Sequence, residues 1–241
     1  MIDGMDFRRR LLETLRVLQP VLDVPGVMVV GSEVPNLLEA GAASTLVVSQ
    51  DVDIGVPVVC HGDVKLRLSS LVGIEPSPDE PSVWIPSQPD LIEVNFVGVD
   101  PSLKDASHAY VLEDSSLPLL VFGSLSFMRA RSPIEIDGVR VPLPNAAGLM
   151  LEKLVTDRSA EKGERDLLVV LGLMLVATES DLQELEQFFG GLLPDLQHAV
   201  RSNLTLLSLM SPHHAMPDPQ AHRVLTRTLL HRLERRMEGQ T

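Results

Sequence analysis

The texture of the chain changes once, at Pro144, and that change limits the fold more than any other feature. From Asn145 nearly to the end, apolar residues recur at helical spacing, predicting helices over residues 146–157, 160–177, 181–189, 194–209 and 219–237. Before Pro144 the apolar runs are short and bounded by Pro, Gly, Asp and Ser. "VPGVMVVG" (24–31), residues 51–59, "SVWIP" (82–86) and "LIEVNFVGV" (91–99) read as strands. "IEIDGVRVPLP" (134–144) reads as a hairpin turning at Asp137-Gly138. Helices are expected over 5–18, over 35–43 with Pro35 in the first turn, and over 61–74 with Asp63 as N-cap. The layout is an α/β domain, residues 1–143, followed by an all-helical C-terminal domain, residues 144–241.

Composition narrows the function classes. Hydrophobic residues make up 44% of the 241 positions and aromatics only 3%, so an ordinary globular core must be built from Val, Leu, Ile and Met. The lone cysteine, Cys60, has no internal partner for a disulfide, which fits a reducing compartment. The longest apolar run, residues 167–177, is about half a membrane span and reads as a core helix. The N-terminal segment is charged and amphipathic and lacks the pattern of a signal peptide, so a cytoplasmic protein with no membrane partner is expected. A net charge of −13 argues against a broad nucleic-acid surface. The charge is uneven, with 20 acidic and 10 basic residues up to position 150 against 13 and 10 beyond it, and the last predicted helix is locally basic.

The chemistry-bearing feature lies in "TLVVSQDVDIGV". Asp51 and Asp53 are two apart on a predicted strand and therefore project from one face. Like charges so placed repel, and the repulsion grows with burial. Glu93, flanked by Ile92 and Val94, would project from another strand. Three carboxylates on adjacent strands would form one anionic pocket, and hard oxygen ligands of this kind suit Mg²⁺. Such ions can position a triphosphate and activate a hydroxyl for in-line displacement. Gly31-Ser32, between a strand and a predicted helix, offers backbone N–H groups and a hydroxyl to phosphate oxygens.

Gly31-Ser32, then "DVD" in an apolar strand, then the acidic residue of "IEV" is an ordered set that resembles the nucleotidyltransferase superfamily related to DNA polymerase β. The segment "VPLPNAAGLMLEKLVTDRSAEKGERDLLVV" is similar to the post-sheet segment of its minimal and abortive-infection-type, toxin–antitoxin-like branch, through Pro144, Lys153, Arg158, Lys162, Arg165 and Asp166. The resemblance spans roughly residues 27–170. It implies an α+β fold with a small mixed β-sheet flanked by helices, followed by an all-helical domain. It also implies Mg²⁺-dependent transfer of a nucleotidyl group from an NTP to a hydroxyl acceptor (an RNA end, a protein or a small molecule), with release of pyrophosphate. By the same analogy Asp51, Asp53 and Glu93 would hold the metal, Glu93 would lie nearest the attacking hydroxyl, Gly31 and Ser32 would hold phosphates, and Lys153 would contact the triphosphate.

Plainer readings stand beside this one. Gly31-Ser32 can be a strand-to-helix turn with Ser32 as N-cap. Asp51 and Asp53 can lie on the solvent face of an edge strand, and "LIEVNF" can be simple alternation with Glu93 and Asn95 facing water. Lys153, Arg158, Lys162 and Arg165 can be a solvated helix face. The alternative function is a catalytically silent nucleotidyltransferase-fold binding module or protein-interaction partner, distinguished by whether the three carboxylates converge.

Overall fold

The computed structural model describes residues 4–38, 51–156, 160–211 and 219–238. They fold as two compact units. The first comprises Met1–Glu33 and Val48–Pro144; the second comprises Val34–Val47 and Asn145–Thr241.

The first unit is built on a mixed sheet. Its strands are β1 (Met28–Val30), β2 (Asp51–Pro57), β3 (Ile74–Pro76), β4 (Val83–Pro86), β5 (Glu93–Val99), β6 (Ala109–Leu112) and β7 (Leu119–Phe122). The order is β1-β2-β5-β4-β3. β2 and β5 run parallel in register from Asp51↔Glu93 to Pro57↔Val99, and β1 lies antiparallel on the other side of β2. The far side of β5 forks. Its first half pairs with β4 at Val94 and Asn95, and its second half pairs with β7 at Val97 and Gly98, with β6 outside β7. β2 is thus an interior strand, so the edge-strand reading of Asp51 and Asp53 does not hold.

Period-2 alternation explains which face is buried. Val52, Ile54, Val94 and Phe96 are each no more than 2% exposed, while Asp51, Asp53, Glu93 and Asn95, on the opposite face, are only half-buried. Helix α1 (Gly4–Val17) contributes Phe7, Leu11, Leu12 and Leu15 to the core. It also fixes the start of β5. The Ile92 N–H donates to Thr14 Oγ1 (3.0 Å) and Arg10 Nη2 donates to the Leu91 carbonyl (2.7 Å). The short α2 (Gln19–Leu22) follows, and a hairpin of β8 (Ile134–Ile136) and β9 (Val139–Val141) packs on both helices. Its turn carries positive φ at Asp137 and Gly138, as the Asp-Gly pair predicts.

Helix α4 (His61–Leu68) has Cys60 rather than Asp63 at its N-cap, and Asp63 lies in its first turn. α4 is tied to the loop before β7. Lys65 Nζ donates to Asp114 Oδ2 (2.5 Å), the N–H groups of Ser116 and Leu117 donate to Asp114 Oδ1, and His61 Nε2 donates to the Leu117 carbonyl. Lys65, seconded by these N–H groups, holds the Asp114 carboxyl well below the usual carboxylate range.

The second unit is helical: α5 (Ala146–Val155), α6 (Ala160–Val176), α7 (Glu179–Gly190), α8 (Pro194–Leu209) and α9 (Pro219–Glu238). Helix α7 begins two residues before the predicted start because Thr178 and Asp181 form a reciprocal capping box. Every residue of α5 is buried, among α6, α7 and α8. Arg232 of α9 binds Glu179 in a two-pronged pair and also reaches Glu186, joining α9 to α7. Helix α3 (Val34–Leu38) buries Val34, Pro35 and Leu37 and packs on α6. Helix α3 therefore groups with the helices, whereas the sequence reading assigns all of 1–143 to the first domain. Positions 39–43 of the predicted helix lie outside the described residues. Among the described residues, no helix is long and apolar enough to cross a membrane.

Candidate active site

The site is assembled by register. In parallel strands, residues paired across the ladder project from the same face. The pairs Asp51↔Glu93 and Asp53↔Asn95 therefore place four polar side chains on the face opposite the core. Asn95 Nδ2 donates to Asp51 Oδ2 (2.7 Å) and reaches Asp53 Oδ1 (3.4 Å). It draws the two aspartates toward one point and offsets their repulsion with a neutral donor.

Gly31 completes the wall beside Asp53. Val30 pairs with Asp53, and Gly31, at φ +89°, ends the strand against that aspartate. A Cβ at Gly31 would lie 2.4 Å from Asp53 Oδ2. Any side chain there would collide with the carboxylate, so the glycine is needed for space as well as for its backbone conformation. Ser32 is half-buried, with Oγ 3.5 Å from Glu33 Oε1. Glu33 is 1% exposed, so its charge is not displayed on the surface beside the Gly-Ser turn.

The expectation that all three carboxylates form one pocket needs correction. They share a face, but among the described residues no three His, Cys, Asp or Glu side chains gather closely enough to hold a metal ion. The side chain that meets the aspartate pair is Asn95, which the sequence reading left facing water. The alternation that puts Asn95 on the same face as Glu93 was legible; the parallel register that carries both beside Asp51 and Asp53 was not. The two aspartates still suit a hard cation, being oxygen donors half-open to solvent.

Lys153, the remaining predicted nucleotide contact, belongs to the second unit. It lies on α5 in the helical unit, 7% exposed, with Nζ 3.0 Å from Glu152 Oε2 and 3.3 Å from Asp166 Oδ1. The solvated-face reading fails for it because α5 is buried all round. Asp157, Arg158 and the Lys162 side chain lie outside the described residues, and Arg165 is exposed. Lys153 and Asp166 line a cavity of about 450 Å³ within this unit, together with Thr156, Asn203, Leu206 and Met210.

No protein-family model and no curated protein matches the chain. Similar solved structures include an antigenic nucleotidyltransferase-like protein from Paracoccidioides brasiliensis, at 18% identity over 80% of this chain and 92% of that one, with a TM-score of 0.40. JHP933 from Helicobacter pylori aligns at 16% identity over 99% of this chain and 97% of its own, with a TM-score of 0.37. These likenesses are loose, and the functional reading below rests on the strands and side chains described above.

Proposed function

We propose that the chain is a nucleotidyltransferase that transfers a nucleotidyl group from an NTP to a hydroxyl acceptor. The observation that carries this reading is the in-register presentation of Asp51, Asp53 and Glu93 on one open face of β2 and β5, with Gly31 cut away beside Asp53. Carboxylates are rarely grouped this way unless a cation is to be bound. Asp51 and Asp53 would hold Mg²⁺, with Glu93 beside Asp51, and the ion would neutralise the triphosphate and the departing pyrophosphate. The Gly31 N–H and the Ser32 hydroxyl would donate to phosphate oxygens. Glu93 would accept the proton from the attacking hydroxyl as its oxygen bonds to the α-phosphorus and the α–β phosphoanhydride bond breaks. Lys153, already paired with two carboxylates, is not needed for these steps.

The absence of a gathered three-carboxylate group among the described residues favours the rival reading, a silent module that binds nucleotide or protein without chemistry. Calorimetric titration of the four NTPs, with and without Mg²⁺, separates the two. Binding that requires Mg²⁺ and is lost in the Asp51→Asn, Asp53→Asn double variant is the expected result. No nucleotide binding by the folded wild type removes the transferase reading.

A further inference from the structure

We propose that Asn95 is the third oxygen donor of the carboxylate site and the group that holds Asp51 and Asp53 together before a cation binds. The inference rests on the metal-dependent reading above and deepens it. An ionised carboxylate only accepts hydrogen bonds, so the amide edge touching Asp51 at 2.7 Å and Asp53 at 3.4 Å must be the NH₂ group. The amide oxygen then faces away from the pair. The NH₂ group stands between the two aspartates, where a cation drawn by both charges would compete with it.

The amide nitrogen and oxygen are nearly equal in size. A half-turn about the last side-chain bond replaces a donor by a neutral hard oxygen, the ligand type that Mg²⁺ and Mn²⁺ take from side-chain amides. Asp53 Oδ2 lies in the space that Gly31 leaves by lacking a side chain. Glu93, paired with Asp51 at the start of β5 and not gathered with the aspartates, is left for the acceptor hydroxyl. The site is then two carboxylates and an amide oxygen, with a separate carboxylate as base.

The test is titration with Mn²⁺ alone, followed by the paramagnetic signal of free Mn²⁺, on the wild type, Asn95→Asp and Asn95→Leu. The first variant supplies an oxygen donor without the NH₂ group; the second matches the size and supplies neither. Asn95→Asp should bind about tenfold more tightly and Asn95→Leu about tenfold more weakly, the scale on which groups around a metal ligand act. Three equal affinities, or tighter binding by Asn95→Leu, overturn the role given to Asn95. If the wild type nevertheless binds an NTP with Mg²⁺, the transferase reading survives that failure. Wild type that binds neither Mn²⁺ nor nucleotide overturns both. Circular dichroism checks folding, and should Asn95→Leu not fold, the nearly isosteric Asn95→Asp decides alone.

Discussion

Two acidic clusters, one in each unit, are held in different ways. In the helical unit Glu152 and Asp166 are buried against Lys153, and Glu179 and Glu186 are bound by Arg232. In the sheet unit, what reaches Asp51 and Asp53 from the neighbouring strand is the neutral amide of Asn95. Buried charge that meets opposite charge inside the same unit is explained by folding. The half-open pair on β2, with a neutral amide among its contacts, is where the proposed cation would bind. On the function proposed above, the difference separates residues that serve the fold from residues that would serve a ligand, even though both sets are acidic clusters in sequence.

The comparison is sharpest at Lys153. Replacing it by Met leaves two carboxylates buried without this partner and should cost about 3–5 kcal/mol in urea unfolding. An unchanged stability would mean that Lys153 is held in reserve for a ligand, and the contrast between the units would break. Gly31→Ala comes next. Positive φ combined with a 2.4 Å approach to Asp53 should cost about 2 kcal/mol and weaken Mn²⁺ binding in the same protein. Stability lost without any change in metal binding would make Gly31 a turn residue only.

Single Asp51→Asn or Asp53→Asn variants should behave in the opposite sense to Lys153→Met. They relieve like-charge repulsion and should leave stability unchanged or raise it by about 1 kcal/mol, while metal binding falls. A marked loss of stability would place the aspartates with the structural set. The smallest effect is expected at Lys65. Asp114 has a lowered pKa in the folded state, so its pairing stabilises the protein above the ordinary carboxylate value of 3.8 and ceases to do so as the pH falls through the lower folded value. The difference in melting temperature between wild type and Lys65→Met should therefore be greatest near neutral pH and shrink below about pH 4. A difference independent of pH would assign it to the lysine stem instead.

The helical half was legible because period and length agree. Residues 194–209 match α8 at both ends, and 160–177 overruns α6 by one residue. Strands β3, β6 and β7 went unread. Each has only three or four residues, β3 ends in a proline, and Asp- and Ser-rich turns flank β6 and β7, so alternation has no length over which to register. At the site, the shared face of Asp51 and Asp53 followed from spacing within one strand. The meeting of Asn95 with that pair depends on a parallel register between partners 42 residues apart, which no local pattern encodes. The solvated-face reading of Lys153 failed for a different reason. "AAGLMLEKLV" is apolar on every face, and a helix apolar all round is buried, so a lysine within it must be neutralised there.

The fork in β5 constrains time as well as shape. Its central amides sit where three neighbours overlap: β2 along the whole length, β4 at Val94–Asn95 and β7 at Val97–Gly98. Sliding β5 by one residue would turn Glu93 and Asn95 into the core and Val94 and Phe96 out to water, while breaking all three ladders at once. No partial opening releases this strand alone, so its amide protons from Val94 to Gly98 should be among the slowest in the sheet unit to exchange with solvent, on the clock of global unfolding. The surface that carries Glu93 and Asn95 would then be as long-lived as the fold itself.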